Sequence, residues 1–183
     1  MSGHRIIYTI GHSTRTLEEF IDLLEEHGIE LLVDVRSIPM SRHNPQFNKD
    51  VLPNAIKRHG IAYIHLAALG GRRGKSNSNS HNTAWEHSSF RNYADYAETE
   101  DFQKGLEELI SLAREKRACY MCAEAVWWRC HRRIITDYLL ARGWKVRHIM
   151  APGKLQEAEM NEDARIQPDG RITYPAAQGN LAL

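Results

Sequence analysis

All three cysteines of the chain, Cys119, Cys122 and Cys130, fall in one short stretch, with Glu124, Arg129, His131 and Arg132 among or beside them. A thiol becomes a nucleophile when nearby cations or helix amides lower its pKa, and Arg129, His131 and Arg132 can supply the cations. One expectation is nucleophilic chemistry, with Cys122 as the attacking thiol, His131 favouring its thiolate and Glu124 or His12 as acid or base; the alternative is a buried, inert cysteine. Cys130 is given a supporting place, because it shares a predicted helix face with Ile134 and burial is the usual fate of a free cysteine. Cys119 lies inside a predicted strand, where residues three apart face opposite sides, so it is read as packing and not as a partner for Cys122.

Cys122, Cys130 and His131 are also soft or borderline metal ligands. No second paired Cys or His motif accompanies them, so no metal is assigned and the cofactor is left open.

Arginine guanidinium forks match phosphate and carboxylate geometry. Arg36, Arg42, Arg129 and Arg132, together with Ser13, are the expected anion-binding groups, and Gly11, Gly70 and Gly71 are expected to shape the loops around them. Asp34 and His65 are read as supports. Trp127 and Trp128 offer faces on which a nucleobase stacks, or else they fill space between helix and sheet.

These residues converge only if the intervening elements place them together. Residues 5–10, 29–35, 61–66, 118–122 and 145–150 are apolar, β-rich runs. Helical spacing occupies residues 17–27, 51–59, 88–97, 101–116 and about 129–141, with Thr16 and Glu19 at capping-box spacing. Strands alternating with helices predict an α/β fold, a single domain over residues 1–183 with a mainly parallel sheet flanked by helices. The Pro168-Asp169-Gly170 turn predicts a small C-terminal β-hairpin over residues 163–175, and the polar segment 72–82 predicts a flexible loop. The groups around His12, Asp34 with Arg36, His65 with Gly70, and Cys122 with Glu124 all follow predicted strands, and in a parallel sheet such ends share one edge, where ligands bind.

At 183 residues with 42% hydrophobic and 26% charged content, the chain is long enough for one buried core. A formal net charge of +1 argues against wholesale polyelectrolyte binding while allowing a local basic cleft. No run approaches the ~20 apolar residues that span a bilayer, and the first residues lack the apolar core of a secretory signal, so a cytoplasmic protein with reduced thiols and no membrane partner is expected.

Taken together, Thr9-Ile10-Gly11-His12-Ser13, Asp34-Val35-Arg36-Ser37-Ile38-Pro39 with Ser41-Arg42, His65-Leu66 with Leu69-Gly70-Gly71, and Cys122-Ala123-Glu124 with Cys130-His131-Arg132 resemble an uncharacterised prokaryotic family, domain-of-unknown-function family four-eight-eight. The resemblance covers nearly the whole chain and departs at Ala67-Ala68, where the family frequently has a proline. It implies an α/β fold and signature positions at Gly11, His12, Ser13, Asp34, Arg36, Arg42, Gly70, Gly71, Cys122, Glu124, Cys130, His131 and Arg132, and it implies no particular reaction. An Asp-Val-Arg after a strand is also similar to rhodaneses, and a Cys-loop-Arg before a helix to cysteine phosphatases. Six residues without glycine separate Cys122 from Arg129, which fits neither pattern.

Two functions follow as expectations. One is an enzyme with an anion-binding cleft, acting on a phosphorylated or nucleotide-like small molecule through Cys, His and Glu chemistry. The other is a non-catalytic nucleic-acid or nucleotide binding module that uses the same arginines with Arg72, Arg73, Trp127 and Trp128.

Overall fold

A computed structural model describes residues 5–74 and 79–177. Among these residues six strands form one sheet in the order β3-β2-β4-β1-β5-β6. The strands are β1 (Ile6–Gly11), β2 (Leu31–Asp34), β3 (Ala62–His65), β4 (Ala118–Cys122), β5 (Lys145–Ala151) and β6 (Lys154–Glu157). β1 to β5 run parallel, and only β6 is antiparallel. The α/β architecture with a mainly parallel sheet is therefore as the alternating pattern predicts.

The helices are α1 (Leu17–Glu26), α2 (Leu52–Lys57), α3 (Ser88–Ala97), α4 (Glu100–Glu115) and α5 (Arg132–Ala141). α1 starts where Thr16 accepts a hydrogen bond from the Glu19 amide, as its capping-box spacing requires. It buries Phe20, Ile21, Leu23 and Leu24 with α2's Leu52 and Ile56 on one face of the sheet. Helices α3, α4 and α5 cover the other face through Tyr93, Phe102, Leu106, Ile134 and Tyr138. β4 lies between them, so every one of its residues is buried, and alternation sends Cys119 and Met121 to the α1 side and Tyr120 and Cys122 to the α5 side. Cys119 and Cys122 are separated by the sheet.

Two local departures from the sequence expectations matter. The helix expected over about 129–141 is split, with a short 3₁₀ turn at Trp127–Arg129, then extended backbone at Cys130 (φ −137°, ψ 167°), then α5. That break leaves the N-terminus of α5 open beside the Cys130 sulfur. The sequence also gives no sign of β6, whose residues are all exposed and which pairs with β5 along the sheet edge.

The C-terminal hairpin forms from β7 (Arg165–Ile166) and β8 (Ile172–Thr173), with Gly170 at φ +87° in its turn. It docks on α5, where the Ile172 amide donates to the Tyr138 hydroxyl at 3.0 Å and the Tyr174 hydroxyl donates to Asp137 at 2.7 Å. The middle of the polar segment 72–82 lies outside the described residues. Its far end is anchored, since Asn82 is buried, donates to Asp95 and Glu98, and accepts from the Tyr174 amide.

Candidate active site

The loops after β1, β2, β3 and β4 meet at one edge of the sheet. After β1, the His12 and Ser13 amides donate to the carbonyls of Cys122 and Ala123 at 2.9 and 3.0 Å, with Ser13 in the left-handed region at φ 51°. After β2, the Val35 carbonyl accepts from His131 Nε2 at 2.7 Å and the Arg36 carbonyl bonds His65 Nε2 at 2.7 Å. After β3, the Arg72 amide donates to Ser37 Oγ at 2.8 Å. These contacts juxtapose the four polar groups.

The glycines account for how closely the loops approach. A Cβ on Gly11 would stand 1.6 Å from the Glu124 carbonyl oxygen, one on Gly70 2.5 Å from Ser37 Oγ, and one on Gly71 2.5 Å from His131 Nδ1. At each position a side chain would force apart two of the loops that build the site.

They enclose an open cavity of 590 Å³. Its polar lining includes His12, Ser13, Arg36, Arg72, Glu124, Arg129 and His131, its apolar wall Ile38, Met40, Phe90 and Tyr93, and its floor Cys122 and Cys130. Arg72 and Arg129 are exposed, and their guanidinium groups make no hydrogen bond or ion pair among the described residues. Among the described residues Glu124 is the one carboxylate in the lining.

The two floor cysteines are 2% and 6% exposed, and their sulfurs lie 2.8 Å apart. Arg132 Nε donates to Cys122 Sγ at 3.0 Å and to Cys130 Sγ at 3.3 Å, and the Arg132 amide, at the start of α5, donates to Cys130 Sγ at 3.2 Å. Burial raises the Cys130 thiol, but the hydrogen bond from Cys122, the Arg132 charge and the His131 imidazole outweigh it and hold Cys130 well below the ordinary thiol range. Cys122 moves the opposite way, raised by burial and by the hydrogen bond and charge of Cys130. The two thiols titrate as a pair, with negative charge favoured on Cys130, where the Arg132 amide donates, over Cys122, whose sulfur also reaches the Glu124 carbonyl at 3.7 Å. Cys119, deep in the other half of the core, is raised by burial.

Arg132 is 1% exposed and is used entirely inside the protein. Besides the sulfurs it donates to Thr9 Oγ1 at 3.0 Å and to the Glu124 carbonyl at 2.8 Å. It is a counter-ion for the thiol pair and does not line the cavity. Arg36 is similarly engaged. Its Nε and Nη2 grip both carboxylate oxygens of Asp34 at 2.9 and 2.7 Å, Nη2 also donates to the Phe47 carbonyl, and the Tyr63 hydroxyl donates to the same carboxylate. Only Nη1 remains toward the cavity, 3.4 Å from His12 Nε2. Arg42 is exposed and lies outside the lining.

The histidines take distinct states. His12 stacks on Phe47, donates from Nδ1 to the Ser13 carbonyl at 2.8 Å, and is lowered to about 4, chiefly by burial and then by Arg36, so it is neutral at pH 7. His131 donates from Nε2 to the Val35 carbonyl, which orients its ring beside Cys130. Sequence reasoning missed the layer behind the sulfurs. The Thr9 hydroxyl accepts from Arg132 and bonds His148 Nδ1 at 2.7 Å, and burial and Arg132 lower His148 to about 3. A threonine inside the apolar run of β1 is the signal that pointed there. Trp127 stacks on His148 at 4.7 Å and donates to Gln156, so it fills space, whereas Trp128 is 43% exposed.

Among the described residues no group of three or more His, Cys, Asp or Glu side chains is arranged to hold a metal ion, and no helix is long and apolar enough to cross a membrane. No curated protein and no solved structure matches the chain. A family model does match residues 16–139, a span holding Asp34, Arg36, Gly70, Gly71 and the segment from Cys122 to Arg132 and leaving Gly11, His12 and Ser13 just ahead of it. On that match, over more than half its length, the chain belongs to the family described as Domain of unknown function DUF488.

Proposed function

We propose that the protein is a thiol-dependent enzyme acting on an anionic, phosphorylated or nucleotide-like small molecule. The observation that carries this reading is the Cys130 sulfur, paired with Cys122 and Arg132 at the floor of a cavity whose rim holds the unpaired cations Arg72 and Arg129. Arg72 and Arg129 bind the anion, and Phe90, Tyr93, Ile38 and Met40 pack the apolar part of the substrate. The Cys130 thiolate attacks the electrophilic centre, the bond to the leaving oxygen breaks, and the Glu124 carboxylate then takes the proton of the water that releases the product from Cys130. His131 favours the thiolate, and His12 holds Arg36 in place. Relative to the sequence expectation, the nucleophile moves from Cys122 to Cys130, because the Arg132 amide and His131 act on Cys130.

A reduced sample given p-nitrophenyl phosphate, an anionic ester, should release p-nitrophenol in a burst stoichiometric with protein. The burst should vanish in Cys130→Ser, and slow turnover should follow in Glu124→Gln with binding retained. Unchanged release from Cys130→Ser would refute the reading.

The alternative, a nucleic-acid binding module, draws support from Trp128, exposed beside Arg129 and Arg133 in a groove that adjoins the cavity. In that case single-stranded oligonucleotide binding would weaken on Arg129→Ala with a reduced salt slope, and Cys130→Ser would be silent.

A further inference from the structure

Cys122 and Cys130 have a geometry that plain packing does not require. Their sulfurs approach to 2.8 Å, inside ordinary sulfur contact distance, both line the cavity, and only the short segment 123–129 separates them in sequence. A small solute entering the cavity therefore meets one sulfur that attacks and a second within reach to resolve the product. Cys119 takes no part, since it lies on the opposite face of β4.

We propose that the Cys122–Cys130 pair is an oxidative modification site at which a peroxide forms a reversible intramolecular disulfide. The inference rests on the same thiolate as the proposed catalysis, but it requires no particular substrate. The Cys130 thiolate attacks one peroxide oxygen, the O–O bond breaks, and hydroxide leaves, giving a sulfenic acid on Cys130. Cys122 then attacks that sulfur through its own. The S–S bond forms, the S–O bond breaks, and the hydroxyl leaves as water with the proton from Cys122. Overall the thiolate and thiol together lose two electrons and one proton, and the peroxide leaves as one water and one hydroxide, which takes a proton from solvent to become the second water.

The surroundings make this disulfide easy to reverse. In the reduced form the almost fully buried Arg132 donates to both sulfurs, so negative charge on the pair compensates it. In the disulfide that negative charge is gone, and Arg132 keeps only the neutral oxygens of Thr9 and Glu124. A buried charge without its partner disfavours the oxidised form, and stabilising the reduced form is what makes a dithiol pair readily reducible. Such disulfides are labile, unlike the resistant ones that staple secreted domains. While the bond exists the cavity has no nucleophile, so oxidation suspends any reaction that depends on Cys130.

The test is hydrogen peroxide added to the reduced full-length protein, followed by intact mass and peptide mapping. Wild type should lose two hydrogens and yield a linked Cys122–Cys130 peptide with Cys119 still free. Cys122→Ser should stop at the sulfenic acid on Cys130, captured by dimedone, and Cys130→Ser should react about tenfold more slowly or worse. In glutathione mixtures the wild-type disulfide should be reduced more readily than that of Arg132→Met by about tenfold, with Arg132→Lys in between. If Arg132→Met does not fold, the wild-type mass result still decides. Two free thiols, or a sulfinic acid on Cys130 beside a free Cys122, would overturn the inference. A linked peptide with an unaltered p-nitrophenol burst in Cys130→Ser would instead retain the redox site and defeat the enzyme reading.

Discussion

The imidazole of His131 donates from Nε2 to the backbone carbonyl of Val35 at 2.7 Å, and this single bond ties the start of α5 to the end of β2. It orients the ring that adjoins Cys130 while leaving Nδ1 against the Cα of Gly71. A residue in the loop after β3 thereby controls the surroundings of a sulfur reached from β4.

Gly71→Ala should therefore impair Cys130 without touching it. The new Cβ must displace His131, so the alkylation rate of Cys130 should fall several-fold at neutral pH. Gly74→Ala, which has open space around its Cα, should be silent. Gly11→Ala should cost more than about 3 kcal/mol in chemical denaturation, because backbone rather than a flexible side chain occupies the space its Cβ would need.

The charge of the cavity is readable with two alkylating agents of similar size. Cys130 should favour anionic iodoacetate over neutral iodoacetamide to a degree that free thiols do not show, and added salt should weaken the preference. Arg72→Ala and Arg129→Ala should each lower the iodoacetate-to-iodoacetamide ratio, whereas Glu124→Gln, which removes the carboxylate from the lining, should raise it. A ratio indifferent to all three changes would show that the rim does not attract anions.

Stability should fall on mild acidification. His12 and His148 titrate near 4 and 3 in the folded protein against 6.5 when unfolded, so the unfolded chain takes up protons first and stability is lost as pH drops below 6.5. Asp137 opposes this, since burial raises its carboxyl to about 6 from 3.8 and the folded state takes up that proton first. Two histidines outweigh one carboxyl, and the net loss between about pH 7 and about pH 4 should be a few kcal/mol by denaturant titration. His148→Gln should flatten the profile.

The sheet and its site edge were legible because β-rich runs alternate with helical spacing, and a parallel sheet sends the residues after its strands to one rim. What stayed hidden was the use to which each group is put. Arg132 and Arg129 look alike in sequence, yet one is buried between two sulfurs and the other stands free on the rim. Arg36 follows Asp34 so closely that the two form a closed fork, a pairing that spacing allows but does not require. Our proposal of Cys130 in place of Cys122 rests on the break at Cys130, which a continuous apolar helix pattern conceals. β6 escaped because an exposed edge strand needs only backbone pairing and leaves no hydrophobic trace.

The most direct test of the central claim is an ultraviolet thiolate titration of the reduced, folded protein alongside Cys130→Ser and Arg132→Met. One thiolate should already be present at neutral pH and should disappear only on acidification, and it should be missing in Cys130→Ser and shifted upward in Arg132→Met. Thiolate absorbance that emerges only in the alkaline range of ordinary thiols, identical in wild type and Cys130→Ser, would contradict the account.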